Sequence, residues 1–249
     1  MYFDSHCHLD FPSLPDGALE RAVRAGVDTV LVPGVDLAQR ARMDALIVRD
    51  GLRVLRSAGA HPAVGRAGLE GLRGWLEAHP GAAVGEFGWD RHVRISLQEQ
   101  DDVAEQQLRL AAALERPVIL HVVGRHGHAL DRLAPHAPLH GVVHAYSGSA
   151  ELVPRYLALG LSISFGLSIT RPSARRVREA ARAVPDGRLL IETDGPDQHR
   201  LGETRGEPAD VVRVAEALAE VRGVDLAQVA ERTRDNAWAL FGGEGLRDP

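Results

Sequence analysis

The chain has 249 residues, a formal net charge of −5 and an apolar fraction of 45%, which are ordinary values for a folded globular protein. Its single cysteine excludes an intramolecular disulfide and any CxxC zinc or redox motif, and the negative charge argues against a broad basic face that binds nucleic acid. All 29 basic residues are arginine, so the sequence also excludes Schiff-base chemistry and a carbamylated lysine that bridges two metal ions.

Eight short β-type runs alternate with amphipathic helical patterns along the chain. Several runs are continuously apolar, as at residues 118–120 and 189–191, which is typical of strands covered on both faces of a parallel sheet. The predicted strands are Tyr2–His8, Thr29–Val35, Arg53–Ala60, Ala82–Phe87, Pro117–Val123, Gly141–Ala145, Ser162–Gly166 and Arg188–Thr193. The predicted helices are Ala18–Ala25, Leu37–Arg49, Leu69–Glu77, Leu97–Leu114, Ala150–Leu159, Arg175–Ala183, Pro208–Val221 and Leu226–Phe241.

This alternation and the chain length predict an α/β fold, namely a single (β/α)8 TIM barrel that spans residues 1–249 as one domain with extra C-terminal helices. The segment Gln198–Glu207 is expected to form an exposed loop on the catalytic rim after the eighth strand. The sequence has no basic segment followed by an apolar one and no apolar run of membrane-spanning length, so we expect a cytoplasmic protein without membrane contacts. No obligate protein partner is evident.

Polar residues of the types that bind metals recur at the ends of the predicted strands. His6 and His8 alternate along one extended segment, so their imidazoles point to the same side, with Asp4 beneath them. The residues at the strand ends are His6, His8, His61, Glu86, His121, His144 and Asp194. The carboxyl ends of barrel strands meet at one rim, so these side chains are predicted to face one small space.

Imidazoles and carboxylates in this number suffice for two divalent ions that share one ligand. Zn, Mn, Mg, Co and Ni all suit such a donor set. Because the chain has no lysine, the shared ligand is expected to be a carboxylate or a water molecule. Glu86 stands between Gly85 and Gly88. Glycines in a strand often indicate that another group approaches the backbone closely, and we expect that group to be a ligand. Asp90 follows the fourth predicted strand and is expected not to affect metal binding.

Six separated segments resemble the TatD-type metal-dependent deoxyribonucleases, in the order of that family and across essentially the whole chain. They are DSHCHLD at 4–10, GAHP at 59–62, GEFGWD at 85–90, PVILH at 117–121, HAYSG at 144–148 and ETDGP at 192–196. The ending NAWALF at 236–241 also resembles the last helix of the family. The resemblance implies one metal ion held by His6, His8, Glu86 and Asp194, and a second held by Glu86, His121 and His144, with Glu86 bridging.

The resemblance further implies that His61 acts on the substrate side and is not a ligand. Many relatives have an arginine two residues after the fifth-strand histidine, where this chain has Val123; the nearest arginine is Arg125, which is expected to make a lesser contribution to substrate binding. The arginines between Arg171 and Arg182 form a basic cluster that is more often a solvated helix face, but it is the one candidate basic patch near the rim. His126 and His128 are expected to be solvated at a helix start.

The resulting hypothesis is a metal-dependent hydrolase, most specifically an exonucleolytic DNase that acts on DNA or another nucleic acid. Two metal ions would polarise the phosphoryl group and activate water, with Asp194 as ligand and general base. A second hypothesis retains the site but assigns ester or amide hydrolysis, for example of misacylated tRNA or a small metabolite, because the fold alone does not select the substrate. A third, a barrel that binds a ligand without catalysis, is weakened because every expected ligand is present.

Overall fold

The computed structural model describes residues 1–11, 14–46, 51–199 and 202–242. Eight parallel strands follow one another around one sheet in chain order. The strands are β1 (Tyr2–Asp4), β2 (Val27–Gly34), β3 (Arg53–Ala58), β4 (Ala83–Asp90), β5 (Val118–Val123), β6 (Gly141–Val143), β7 (Leu161–Phe165) and β8 (Leu189–Ile191). Backbone hydrogen bonds from Ser5 N–H to the Ile191 carbonyl (3.1 Å) and from Asp194 N–H to the His6 carbonyl (2.8 Å) bring the eighth strand back to the first.

Helices surround this sheet, mostly where the amphipathic patterns predict them, although the helix after β5 was not among the predicted ranges. The helices are α1 (Ala18–Arg24), α2 (Leu37–Asp44), α3 (Leu72–Ala78), α4 (Leu97–Leu114), α5 (His126–Leu133), α6 (Val153–Ala158), α7 (Arg175–Ala183), α8 (Val211–Arg222) and α9 (Leu226–Phe241). Local capping fixes several of their starts: Asp36 accepts a hydrogen bond from Gln39 N–H at α2, and Ser96 accepts one from Glu99 N–H at α4. The (β/α)8 barrel with additional C-terminal helices is therefore confirmed.

Several element ends differ from the prediction. Strand β1 ends at Asp4 and not at His8, because the next residues alternate between two neighbours: Ser5 N–H bonds to β8, and Cys7 N–H bonds to the Leu31 carbonyl of β2. Strand β4 runs three residues further than predicted, to Asp90, paired with β5. Helix α2 ends at Asp44, and part of its predicted C-terminal end lies outside the described residues, as do residues 200–201 of the predicted rim loop.

Apolar side chains fill the interior of the barrel at the amino-terminal ends of the strands. Inward apolar side chains of the strands, such as Phe3, Leu55 and Ile119, form one buried cluster with Ala237 and Phe241 of α9. The Phe3 ring packs edge-on against Trp238 at 5.5 Å. Helix α9 thus covers this end of the barrel, and the polar side chains gather at the opposite, carboxyl ends of the strands.

Candidate metal centre

The residues singled out in the sequence lie together at the carboxyl ends of the strands. Glu86 and His121 belong to β4 and β5, and the others lie in segments that directly follow a strand. Those others are His6, His8, His61, His144 and Asp194. The structure brings all seven into three overlapping groups, in each of which the candidate ligand atoms lie within 4.8 Å of one another.

Glu86 stands at the centre of these groups. Its Oε1 lies 3.5 Å from Nε2 of both His6 and His8. Its Oε2 lies 3.4 Å from His121 Nδ1 and 2.8 Å from His144 Nε2. The two oxygens of one buried carboxylate therefore face two different pairs of histidines, which is the arrangement that a bridging ligand requires.

The backbone around Glu86 allows this placement. The pairing of β4 with β5 shifts register at Glu86, and such bulges re-aim a side chain beside active sites. A Cβ on Gly85 would lie 2.5 Å from the Ile119 carbonyl oxygen, and one on Gly88 would lie 2.2 Å from that of His121. The glycines thus permit a close approach of strand β5, and the expectation that they mark the approach of a ligand was wrong.

Asp194 faces the first pair of histidines. Its Oδ1 lies 3.7 Å from Nε2 of both His6 and His8, while its Oδ2 accepts a hydrogen bond from Gln198 Nε2 at 3.0 Å. Gln198 Oε1 in turn accepts the Ser168 N–H at 3.3 Å, which fixes the orientation of the amide. Gln198 therefore occupies one carboxylate oxygen and leaves the other directed at the histidines.

Asp4 is a buried carboxylate outside the candidate ligand set, and it connects the segments that carry His6 and Asp194. Asp4 accepts hydrogen bonds from Thr193 N–H (2.9 Å), from the Thr193 hydroxyl (2.6 Å) and from His6 N–H (3.2 Å). It thereby ties the segment that carries His6 to the segment that carries Asp194, although they are far apart in sequence.

The outer nitrogens of two histidines contact carboxylates. His121 Nε2 lies 3.1 Å from Asp90 Oδ2, and His144 Nδ1 lies 3.3 Å from Glu192 Oε1. A metal-binding histidine usually donates its second N–H to such an acceptor, which fixes its tautomer and leaves the inner nitrogen free for the ion. The sequence did not predict this contact, because Asp90 was expected to lie beyond the end of the fourth strand.

The donor set fits divalent ions. Among the described residues, buried His6 Nε2 has no hydrogen-bond partner, which is costly for a polar atom unless a ligand satisfies it. Burial lowers the pKa of His8 to about 3, so its imidazole is neutral at physiological pH, the state in which a histidine binds an ion. For Glu86, burial alone would raise the pKa, but the neighbouring histidines, His6 first, lower it well below its usual value, so this carboxylate is charged.

Comparison with known proteins agrees with this geometry. A family model described as TatD related DNase matches residues 3–242. The metal-dependent hydrolase YjjV of Escherichia coli K12 is 35% identical, over 96% of this chain and 97% of its own length. The 3'-5' ssDNA/RNA exonuclease TatD of Erwinia amylovora is 31% identical, over 91% of this chain and 93% of its own. The chain belongs to the TatD-related DNase family.

This TatD-family protein is a metal-dependent hydrolase. Its fold matches the crystal structure of E. coli YjjV with a TM-score of 0.86 and 29% identity, covering 97% of this chain and 98% of that one. Within the described residues, no helix combines the length and the apolar character needed to cross a membrane.

Asp90 offers a test of the second histidine pair. Because Asp90 accepts a hydrogen bond from His121, we expect Asp90→Asn to weaken metal binding at the His121 and His144 pair by about 10- to 100-fold. The sequence, in contrast, predicted no effect on metal binding. Calorimetric titration with Mn²⁺ measures this loss. As a control, Asp101→Asn changes a carboxylate that contacts Trp89 and His128, away from the candidate ligands, and should leave both affinities unchanged. Equal Mn²⁺ affinities in wild type and Asp90→Asn would contradict the assignment.

His126 is buried in the structure, so the expectation of a solvated capping residue was wrong. Its Nδ1 lies 3.0 Å from the Tyr156 hydroxyl, and its ring packs against Tyr146. Burial, and then the charge of Arg176, lowers the pKa of His126 from 6.5 to about 4. The start of α5, His-Gly-His, gave no indication that His126, unlike the partly exposed His128, points inward.

This shift predicts a pH dependence of stability. Between pH 6.5 and 4 the unfolded chain binds a proton at His126 that the folded chain does not, so stability is retained above pH 6.5 and falls as the pH drops. The contribution is about 2–4 kcal/mol. Urea unfolding at several pH values should therefore show a smaller pH slope for His126→Gln than for wild type. The exposed His92→Gln serves as the control with an unchanged slope, and parallel slopes for all three proteins would refute the prediction.

Proposed function

We propose that this protein is a two-metal phosphodiesterase that removes nucleotides from an end of single-stranded nucleic acid, DNA in the first instance. The main support for the proposal is that the two oxygens of the Glu86 carboxylate face separate histidine pairs. The name of the Erwinia relative, a 3'-5' ssDNA/RNA exonuclease, supports nucleic acid as the substrate. In this proposal the barrel forms one hydrolase domain.

His6, His8 and Asp194 would hold one ion with Glu86 Oε1, and His121 and His144 would hold the other with Glu86 Oε2. Bound divalent ions would neutralise charge on the phosphoryl oxygens and lower the pKa of a water molecule. Zn, Mn, Mg, Co and Ni remain the candidates for this mixed imidazole and carboxylate site.

Asp194 is the proposed general base. In the absence of an ion, burial raises its pKa to about 6, so the carboxylate is mostly ionised at neutral pH and available to an ion or a proton. Gln198 donates to Oδ2, so Oδ1, the oxygen nearer to the histidines, would hold the ion, and a remaining lone pair of the carboxylate would accept the proton from the attacking water.

His61 is the proposed substrate-side residue. Its Nδ1 accepts the Ala63 N–H at 3.1 Å, and burial lowers its pKa to about 4, so the neutral ring carries its proton on Nε2. A neutral imidazole in this tautomer donates a hydrogen bond through Nε2, which suits a phosphate or leaving-group oxygen better than a metal ion. This tautomer supports its assignment to the substrate and not to the ligand set.

The experiment compares two substrates on metal-loaded protein. Single-stranded oligonucleotides labelled at either end are incubated with Mn²⁺, and release of labelled amino acid from mischarged tRNA is measured in parallel. We expect mononucleotide release from one end of the oligonucleotide, abolished by Asp194→Asn. Release of amino acid without nucleotide release would assign the same centre to ester hydrolysis instead, and would overturn the proposal.

A further inference from the structure

The structure divides the basic cluster that follows β7 into two parts. Two arginines of α7 face α8: Arg178 forms an ion pair with Glu220, and Arg182 Nε donates to the Val221 carbonyl at 3.0 Å. The other three, Arg171, Arg175 and Arg176, are exposed. Their guanidinium groups have no hydrogen bond or ion pair with any residue in the described part of the chain. We name these three the rim arginines.

Many other exposed arginines of the barrel are neutralised by a neighbour. Arg73 pairs with Glu77, Arg109 with Glu105 and Arg213 with Glu216, each within one turn of its own helix. A hydrogen bond from Ser149, and then the charge of Arg176, lowers the pKa of neighbouring Glu151. The rim arginines form a positive surface without ion pairs in the described part of the chain, on a protein whose net charge is −5. Such a surface attracts a polyanion, and the planar guanidinium group binds phosphate with two parallel hydrogen bonds.

This surface lies on the same rim of the barrel as the candidate metal centre. Arg171 follows the short 3-10 turn Leu167–Thr170 that comes directly after β7, so it lies at the same rim as the ligands. Helix α7 packs on the 3-10 turn Ala150–Leu152, which belongs to the loop that begins at His144. The charge of Arg176 also acts on buried His126, which begins α5 after the strand that carries His121.

We propose that the rim arginines bind the phosphodiester backbone of a single strand whose end lies in the metal centre, so that they hold the nucleotides beyond the scissile bond. This inference rests on the proposed function, because it assigns the path of the same substrate. Contacts to phosphates carry no base information, so binding here is independent of sequence.

The test compares the triple variant Arg171→Ala/Arg175→Ala/Arg176→Ala with a matched triple variant, Arg73→Ala/Arg109→Ala/Arg213→Ala. Both lose three positive charges, but the control loses them from arginines that are paired on other helices. The probe is a fluorescein-labelled oligothymidylate of about 12 nucleotides, which exceeds the reach of the metal centre alone. Fluorescence anisotropy in EDTA measures its binding without catalysis, and titration over a range of salt concentrations gives the salt slope.

We expect the rim variant to bind the oligonucleotide at least about tenfold more weakly at low salt, with the slope of log K against log salt reduced by about 2. The control should match wild type. In Mn²⁺, the loss of kcat/KM should be larger for the oligonucleotide than for a dinucleotide. Equal behaviour of the two triple variants would overturn the inference while leaving nuclease activity, and thus the proposed function, intact. A wild type that binds the strand but cleaves neither substrate would instead contradict the proposed function alone.

Discussion

Glu86→Gln should lose both metal sites together and most of the hydrolytic activity. The amide retains the shape of the side chain, but it has no negative charge, and only one of its two terminal atoms can coordinate a cation. Oε1 and Oε2 face different histidine pairs. The substitution therefore removes a ligand atom from at least one of the two metal sites and the negative charge of the carboxylate from both. Loss of several kcal/mol of transition-state stabilisation corresponds to a decrease in kcat of about 10²- to 10⁴-fold.

Calorimetric titration with Mn²⁺ and an oligonucleotide assay measure the two effects. Glu105→Gln is the matched control, since it makes the same chemical change to a carboxylate that pairs with His136 and Arg109 on the outer face. Asp90→Asn supplies the contrast, because it should weaken one side only. If Glu86→Gln still bound two ions with wild-type affinity, another carboxylate would have to be the bridge.

The positions of the candidate ligands could be predicted from the sequence because the barrel repeats one simple geometry. Each strand of a parallel barrel delivers its last residues to the same rim, so a histidine or carboxylate at the end of an apolar run is placed without knowledge of any long-range contact. This reasoning located Glu86, His121 and His144 from local patterns alone. It also held for His6 and His8, even though they lie beyond the regular part of β1.

The interactions between residues of different strands could not be read in this way. Asp90 contacts His121 only because β4 continues to that residue in register with β5, and a strand end is among the least certain features of a sequence. His126 and His128 look equivalent in the sequence, but their directions depend on how α5 packs against Tyr156. The arginines that follow β7 could not be sorted because their partners, such as Glu220, lie on a helix distant in sequence.

Removal of metal should abolish hydrolysis and also lower the thermal stability. In the absence of an ion, burial alone would lower the pKa of His144, but Glu86 and then Glu192 raise it well above its usual value, so a proton occupies the nitrogen that an ion would use. Binding must displace this proton. The apparent metal affinity should therefore rise as the pH increases above 6.5 and fall as it decreases, with proton release detectable by calorimetry in two buffers of different ionisation enthalpy.

Mn²⁺ at 100 times its dissociation constant should stabilise the fold by about 2.7 kcal/mol for each ion bound, or a rise in Tm of about 5–10 °C per ion for a chain of this length. Differential scanning fluorimetry after exhaustive chelation, followed by addition of Mn²⁺, measures this change. Glu86→Gln is the control for a site-specific effect, since its Tm should respond much less to the same Mn²⁺ concentration. Full activity after chelation would rule out the metal mechanism, whereas an equal Tm response in wild type and Glu86→Gln would show that the stabilising ion binds elsewhere.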